Sequence, residues 1–249
     1  MKKMVPRVIR GVLYGVAIVI ALAITTIIIL NRPLPKGEPG LAAEALADSM
    51  LAAVNEPAWD QLRFIAWCYD GRREYVWDTW YHLVEIRDGS RRILLNTRAL
   101  DGRVWEDGRQ LQGDEKRTWI ARAWKDWCND SFWLNPVVKL RDEGTVRRLV
   151  PLKDGRNGLL VTYQSGGATP GDSYLWELDE EGLPVAWRMW AQMLPVKGLR
   201  ATWENWINVG GARIATLHRI GPVRIEILDV RHGDHHSDLG LERDPFGDF

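Results

Sequence analysis

Hydrophobic and polar positions divide this chain into two unlike parts. From Gly11 to Leu30 every side chain is uncharged, and most are Val, Ile, Leu or Ala. As a helix rising 1.5 Å per residue, this run covers roughly 30 Å, the thickness of a hydrocarbon core. Lys2, Lys3, Arg7 and Arg10 precede it, and residues 1–30 contain no acid. The positive-inside bias then predicts one uncleaved transmembrane helix in a bacterial-type inner membrane. The N-terminus would be cytoplasmic and the C-terminal domain periplasmic or extracellular. A cleaved signal peptide with Ala21-Leu22-Ala23 as its site is the competing pattern. Ile24 to Leu30 speaks against it, because a polar region should begin there. Residues 31–40, rich in Pro and Gly, read as a stiff linker that holds the domain off the surface.

Beyond the linker the period changes. Leu41 to Val54 is an Ala- and Leu-rich helix stopped by Asn55 and Pro57. From Asp60 short alternating segments are separated by turn signals such as Asp70-Gly71, Asp88-Gly89, Asp101-Gly102 and Asp154-Gly155, the spacing of an antiparallel meander. One helix interrupts it. In Asp114 to Cys128, the residues Trp119, Ile120, Ala123, Trp124, Trp127 and Cys128 form one apolar stripe, which the sheet should bury.

The second half of the meander alternates most clearly. Leu159, Val161 and Tyr163 share one face, as do Tyr174, Trp176 and Leu178. Val185, Trp187 and Met189 follow, then Leu199, Ala201, Trp203 and Ile207, then Ala212, Ile214, Thr216 and His218, and finally Val223, Ile225 and Ile227. Trp190 and Trp206 fall on the other, outer face. The expected fold is α+β, a curved antiparallel sheet over residues 41–230 with helices on its concave face. Residues 231–249 are polar, rich in Gly and Asp, and expected to be disordered.

Composition sharpens this picture in two places. The chain has 14 tryptophans against 10 Phe and Tyr together. That surplus suits a thick core, a membrane-interface belt or a pocket for greasy or ring-shaped ligands. The formal net charge is zero, but the residues after the apolar run carry 29 bases and 33 acids. No basic face is implied, so nucleic acid is not an expected partner. Cys68 and Cys128 are the only cysteines, and both a single disulfide and two buried thiols fit their Trp-flanked contexts.

Candidate chemistry is sparse. The loop Ser165 to Asp172 is Gly-rich, but it lacks the Lys-Ser/Thr ending of a phosphate loop and leads into a strand. His232, His235, His236 and Asp238 resemble a metal cluster without helical ligand spacing, so no metal and no cofactor are expected. Gln164-Ser165-Gly166 is not a nucleophile elbow. His218 is the one histidine on the inner face of a well-defined strand; a hydrogen-bonded core residue and an acid-base group are both open for it. No catalytic residue is assigned.

The order of elements (helix, second helix at Leu41, meander, mid-chain helix, meander) resembles the lipoprotein-carrier fold of the LolA and LolB type over about residues 41–230. The stretches Asn129 to Pro136 and Ser165 to Asp172 also resemble an uncharacterised bacterial family. In the carrier fold the sheet is a half-open barrel, and helices close its mouth around acyl chains. The resemblance implies a lipid, acyl-chain or lipoprotein ligand. A membrane anchor at residues 11–30 departs from the soluble carriers and suits a stationary acceptor or sensor. The expected function is therefore a membrane-anchored extracytoplasmic binding module, with Tyr163, Trp176, Trp187, Trp203 and His218 as ligand-binding residues. An envelope protein-interaction or regulatory domain without a small ligand, and an enzyme using His218 in the sheet cavity, are the alternatives.

Overall fold

A computed structural model of the chain describes residues 7–247 and 249, with side chains except at positions 7, 8, 23, 24, 26, 27 and 29. The basic residues Lys2 and Lys3 lie outside that description. Helix α1 covers Arg7–Leu30, α2 Leu41–Val54, α3 Glu56–Gln61 and α4 Gly113–Leu134. The strands are β1 (Phe64–Tyr69), β2 (Arg73–Asp78), β3 (Leu83–Asp88), β4 (Arg91–Asn96), β5 (Asp101–Glu106), β6 (Arg109–Gln110) and β7 (Thr145–Pro151). They continue as β8 (Asn157–Tyr163), β9 (Ser173–Leu178), β10 (Pro184–Trp190), β11 (Leu199–Thr202), β12 (Glu204–Val209), β13 (Ala212–Ile220) and β14 (Val223–Gly233).

The transmembrane span expected at residues 11–30 is corrected here: among the described residues, no helix is long and apolar enough to cross a membrane.

The sheet also differs from the expected single curved surface. Two antiparallel sheets form, a nine-stranded one in the order β12-β13-β14-β1-β2-β3-β4-β5-β6 and a five-stranded one in the order β11-β10-β9-β8-β7. Neither closes into a barrel. The cause is local, at Trp203. Leu199 to Ile207, expected as one strand, breaks into β11 and β12, and the chain changes sheets between them. The Trp203 N–H bonds the Val185 carbonyl at 2.9 Å, while Asn205 takes a left-handed backbone with φ 56°. Beside the break, the Arg219 N–H donates to Thr202 Oγ1 at 3.0 Å and joins the two sheet edges through a side chain.

Helices and both sheets share one core. From α2, Ala43, Ala47, Met50, Leu51 and Val54 are buried in it, and Asn55 ends the helix in a left-handed cap. From α4, Ile120, Ala123, Trp127 and Leu134 enter the same core. A Cβ on Gly102 of β5 would sit 1.8 Å from the Leu94 carbonyl oxygen of β4 and 3.1 Å from Ile120 Cδ1 of α4. Trp119 and Trp124, placed on the buried stripe by periodicity, are only partly buried; Trp127 carries the contact. Its ring lies 4.9 Å from Trp77, edge-on, and 5.7 Å from Trp67.

Two segments read as lying off the fold are bound to it. In the linker, Asn31 Oδ1 accepts from the Lys197 N–H at 2.9 Å, the Arg32 N–H bonds the Lys197 carbonyl at 3.0 Å, and the Trp190 indole donates to the Arg32 carbonyl at 2.9 Å. Glu38 then pairs with Leu149 on the free edge of β7, exchanging both backbone bonds. At the other end, the expected disordered tail forms a turn of 3-10 helix at His236–Leu239. It buries Leu239 and Phe246, whose ring stacks on Phe64 at 6.5 Å. Asp238 caps that turn by accepting the N–H groups of Asp234 and His235. Among the described residues no group of three or more metal-ligating side chains gathers.

Trp127→Ala should destabilise the protein by about 3–5 kcal/mol, the range for a buried aromatic truncated in a packed core. Trp124→Ala should cost clearly less, because that ring is only partly buried. Chemical denaturation of both variants checks the order, and equal losses would contradict this packing.

Candidate functional site

β-Sheet register brings the expected ligand residues together. Trp176 on β9 lies opposite Trp187 on β10 and Leu159 on β8; Trp187 lies opposite Ala201 on β11. Side chains at paired positions share a face, so the indoles stack across neighbouring strands. The Trp176 and Trp187 rings are 4.7 Å apart, and Trp187 meets Trp203 edge-on at 4.9 Å. His218 on β13 faces Trp203 at 4.2 Å. Tyr163, at the end of β8, joins through Tyr174 at 5.9 Å, and Tyr174 reaches Trp187 at 4.6 Å. All five expected residues thus belong to one continuous aromatic group.

The lid of that group was not legible in the sequence. α4 continues past Cys128 to Leu134 and brings Phe132 and Trp133 onto the rings. Phe132 stacks on Trp187 at 5.6 Å, Trp133 meets Trp187 edge-on at 5.1 Å, and Trp133 stacks on Trp203 at 6.2 Å. Trp176, Trp187 and His218 are fully buried as a result. In this state the interior between α4 and the sheet is filled with rings.

A polar clamp seats α4. Asp130 is fully buried, and its Oδ2 accepts from the Tyr75 hydroxyl at 2.6 Å and from Arg73 Nε at 2.7 Å. Asn129 supplies a further bond to Oδ1 at 2.8 Å. Burial and the Asp130 charge raise the Tyr75 hydroxyl far above its usual range, so it stays protonated and donates. The Cys68 and Cys128 thiols are free. Burial raises both, Cys128 to about 11, which leaves them protonated near neutrality.

The interior also holds polar atoms without partners. In this aromatic group they are the indole N–H groups of Trp176, Trp187 and Trp203, the Tyr163 hydroxyl and His218 Nε2; elsewhere they are the Trp67 and Trp77 indoles, Arg63 and Arg91 Nε and Asn135 Nδ2. His218 Nδ1 lies 3.2 Å from the Thr202 carbonyl oxygen, which can only accept. In the tautomer that donates this bond, Nδ1 carries the proton and Nε2 a lone pair. Burial pushes the imidazole down to about 4, opposed by the backbone groups of Thr202 and Trp133 and by the Glu204 charge. His218 is neutral at pH 7. Among the described residues no serine or carboxylate is hydrogen-bonded to it, and the Glu204 carboxylate acts on it only through its charge.

Because the folded pKa of His218 lies below that of the unfolded chain, the unfolded state binds more protons between about pH 4 and 6.5. Stability is complete above that window and falls by about 3 kcal/mol as pH drops through it. Comparing the denaturation free energy of the parent and His218→Phe from pH 4 to 7 should show a flatter profile in the variant. Parallel profiles would mean that the histidine is not buried neutral.

No family model matches this sequence, and no curated protein does. Among solved structures similar to it is the crystal structure of a DUF1329 family protein from Desulfovibrio piger ATCC 29098. The match has 10% sequence identity and a TM-score of 0.38, covering 81% of this chain and 99% of that one, a likeness too distant to carry a function across.

Proposed function

We propose that the domain is a non-catalytic binding module whose aromatic interior takes an amphiphile when the C-terminal turns of α4 move aside. The unpartnered polar atoms carry this reading. Buried donors and acceptors in folded proteins nearly always have partners, and each one left without costs about 1–3 kcal/mol. Here five such atoms belong to one group of rings. A ligand with an apolar chain would replace Phe132 and Trp133 against the indoles. Its polar end would accept from indole N–H groups and donate to His218 Nε2. An uncharged amide or hydroxyl does both, whereas a carboxylate would face the imidazole lone pair with no proton to give. The N-acyl amide of a lipidated protein and neutral lipids therefore fit better than free fatty acids.

The filled interior favours a second reading, an interaction domain that binds no small ligand. Titrating the protein with oleamide and with oleate, while following tryptophan fluorescence, separates the two. The expected result is a saturable change with oleamide, weaker with oleate, that is lost in Trp187→Phe with Trp203→Phe. Phe132→Ala removes a ring that competes with the ligand and should tighten binding about tenfold, the factor that corresponds to 1.4 kcal/mol. No saturable response to either amphiphile, in the parent or in Phe132→Ala, would leave the interaction reading.

A further inference from the structure

Of the chain's 14 tryptophans, Trp80 is the one left exposed, at 58%, and its neighbour Tyr81 is exposed at 64%. Both sit at the tip of the β2–β3 hairpin. Asp78 Oδ1 accepts the backbone N–H groups of Trp80 and Tyr81 at 3.1 Å each, and Thr79 Oγ1 donates to the Leu62 carbonyl at 2.6 Å. The tip is therefore held rigidly. The β4–β5 tip lies against it, because the Thr97 N–H and hydroxyl both donate to the His82 carbonyl, at 2.9 and 3.2 Å. This second tip is fixed by Asn96 Oδ1, which accepts from Arg98 and Ala99.

At its end Leu100 is 49% exposed in a left-handed backbone, φ 54°. Leucine is a costly choice there, since Gly or Asn fits that conformation with little strain. An exposed side chain returns no core burial for the cost, so its use lies outside the fold.

Most charges at the two tips are paired, Arg63 with Asp78 and Lys116 with Asp101, which leaves Arg98. The Arg63 guanidinium lies over the Trp80 and Tyr81 rings, 5.2 and 5.8 Å from their centroids, and pairs with the buried Asp78 at 3.6 Å. Arg98 is exposed and, among the described residues, has no carboxylate partner. Its charge, after burial, helps hold the His82 imidazole below its usual value. Trp and Tyr settle at the headgroup level of bilayers, and Arg stems reach along apolar surface to anionic phosphates.

We propose that the paired β2–β3 and β4–β5 hairpin tips dock onto an anionic phospholipid surface, with Trp80, Tyr81 and Leu100 entering the headgroup layer and Arg98 meeting lipid phosphate. This contact does not depend on whether the interior takes a ligand. It is tested in the full chain with an environment-sensitive dye on Ala99→Cys, with the two native free and partly exposed thiols removed as Cys68→Ser and Cys128→Ser. The dye reports on the tip alone, so contact of vesicles with other parts of the chain leaves it unmoved. Vesicles of phosphatidylglycerol with phosphatidylcholine should give a saturable blue shift. Arg98→Gln should weaken the apparent partitioning about fivefold.

Leu100→Gly should weaken it about tenfold without lowering the melting temperature, since glycine relieves the local strain. No shift with phosphatidylglycerol vesicles would overturn the proposal. So would an equal shift in both variants, which assigns the signal elsewhere. A shift that grows with protein concentration in the absence of lipid would overturn it in favour of a second copy.

Discussion

The buried carboxylate of Asp130 fixes where α4 lies, and most of the architecture follows from that position. Its bonds to Tyr75 and Arg73 tie the helix to β2 of the nine-stranded sheet. One turn earlier, Trp127 packs on Trp67, Tyr75 and Trp77 of the same sheet. At the far end, Phe132 and Trp133 pack on Trp187 of the five-stranded sheet. α4 is thus a bridge between two sheets that share no hydrogen-bonded ladder, with its one buried charge near the middle of the span. A buried ion is weak evidence for net stability but strong evidence for register. Sliding α4 by a turn would strip Asp130 of its donors and move both aromatic contacts together.

The same bridge links structure to proposed activity. Ring contacts at α4's C-terminal end are apolar and adaptable, whereas the clamp at Asp130 is directional. A helix held in this way can loosen at its end without leaving the sheet. That division suits an interior that opens over the Trp176, Trp187 and Trp203 rings while the nine-stranded half stays rigid.

Much of this was legible in the sequence because period-two alternation places side chains directly. The shared face of Trp176 and Trp187 and the inward setting of Tyr163 and His218 follow from alternation, and α2 from its Ala and Leu run and the Asn55 stop, whereas the Trp176–Trp187 register does not. Three features were hidden for physical reasons. α4 appeared to end at Cys128 because Asn129-Asp130-Ser131 looks like a turn, yet Asp130 and Ser131 are buried on the helix's inner stripe. A polar residue with a partner far away in sequence breaks an apolar pattern without breaking the helix. The division into two sheets was hidden because Trp203 keeps the alternation going through a break in the backbone. By composition the linker read as a stiff spacer off the surface and the tail as disordered, but both are bound to the domain through main-chain partners, to which hydropathy is blind. The apolar run before Leu30 illustrates the reverse, a strong pattern whose expected span the described helix does not supply.

The strap between α1 and α2 also gives the molecule a mechanical axis. Force applied along the N-terminal helix would reach the domain first at Arg32 and Lys197, then at Glu38 and Leu149, before any of it arrived at α2. Those contacts lie on the β10–β11 connection and on the edge of β7, at opposite margins of the five-stranded sheet. Load would therefore be shared across the full width of that sheet instead of peeling one strand from its edge. The aromatic interior behind it would be shielded from tension entering through the N-terminus.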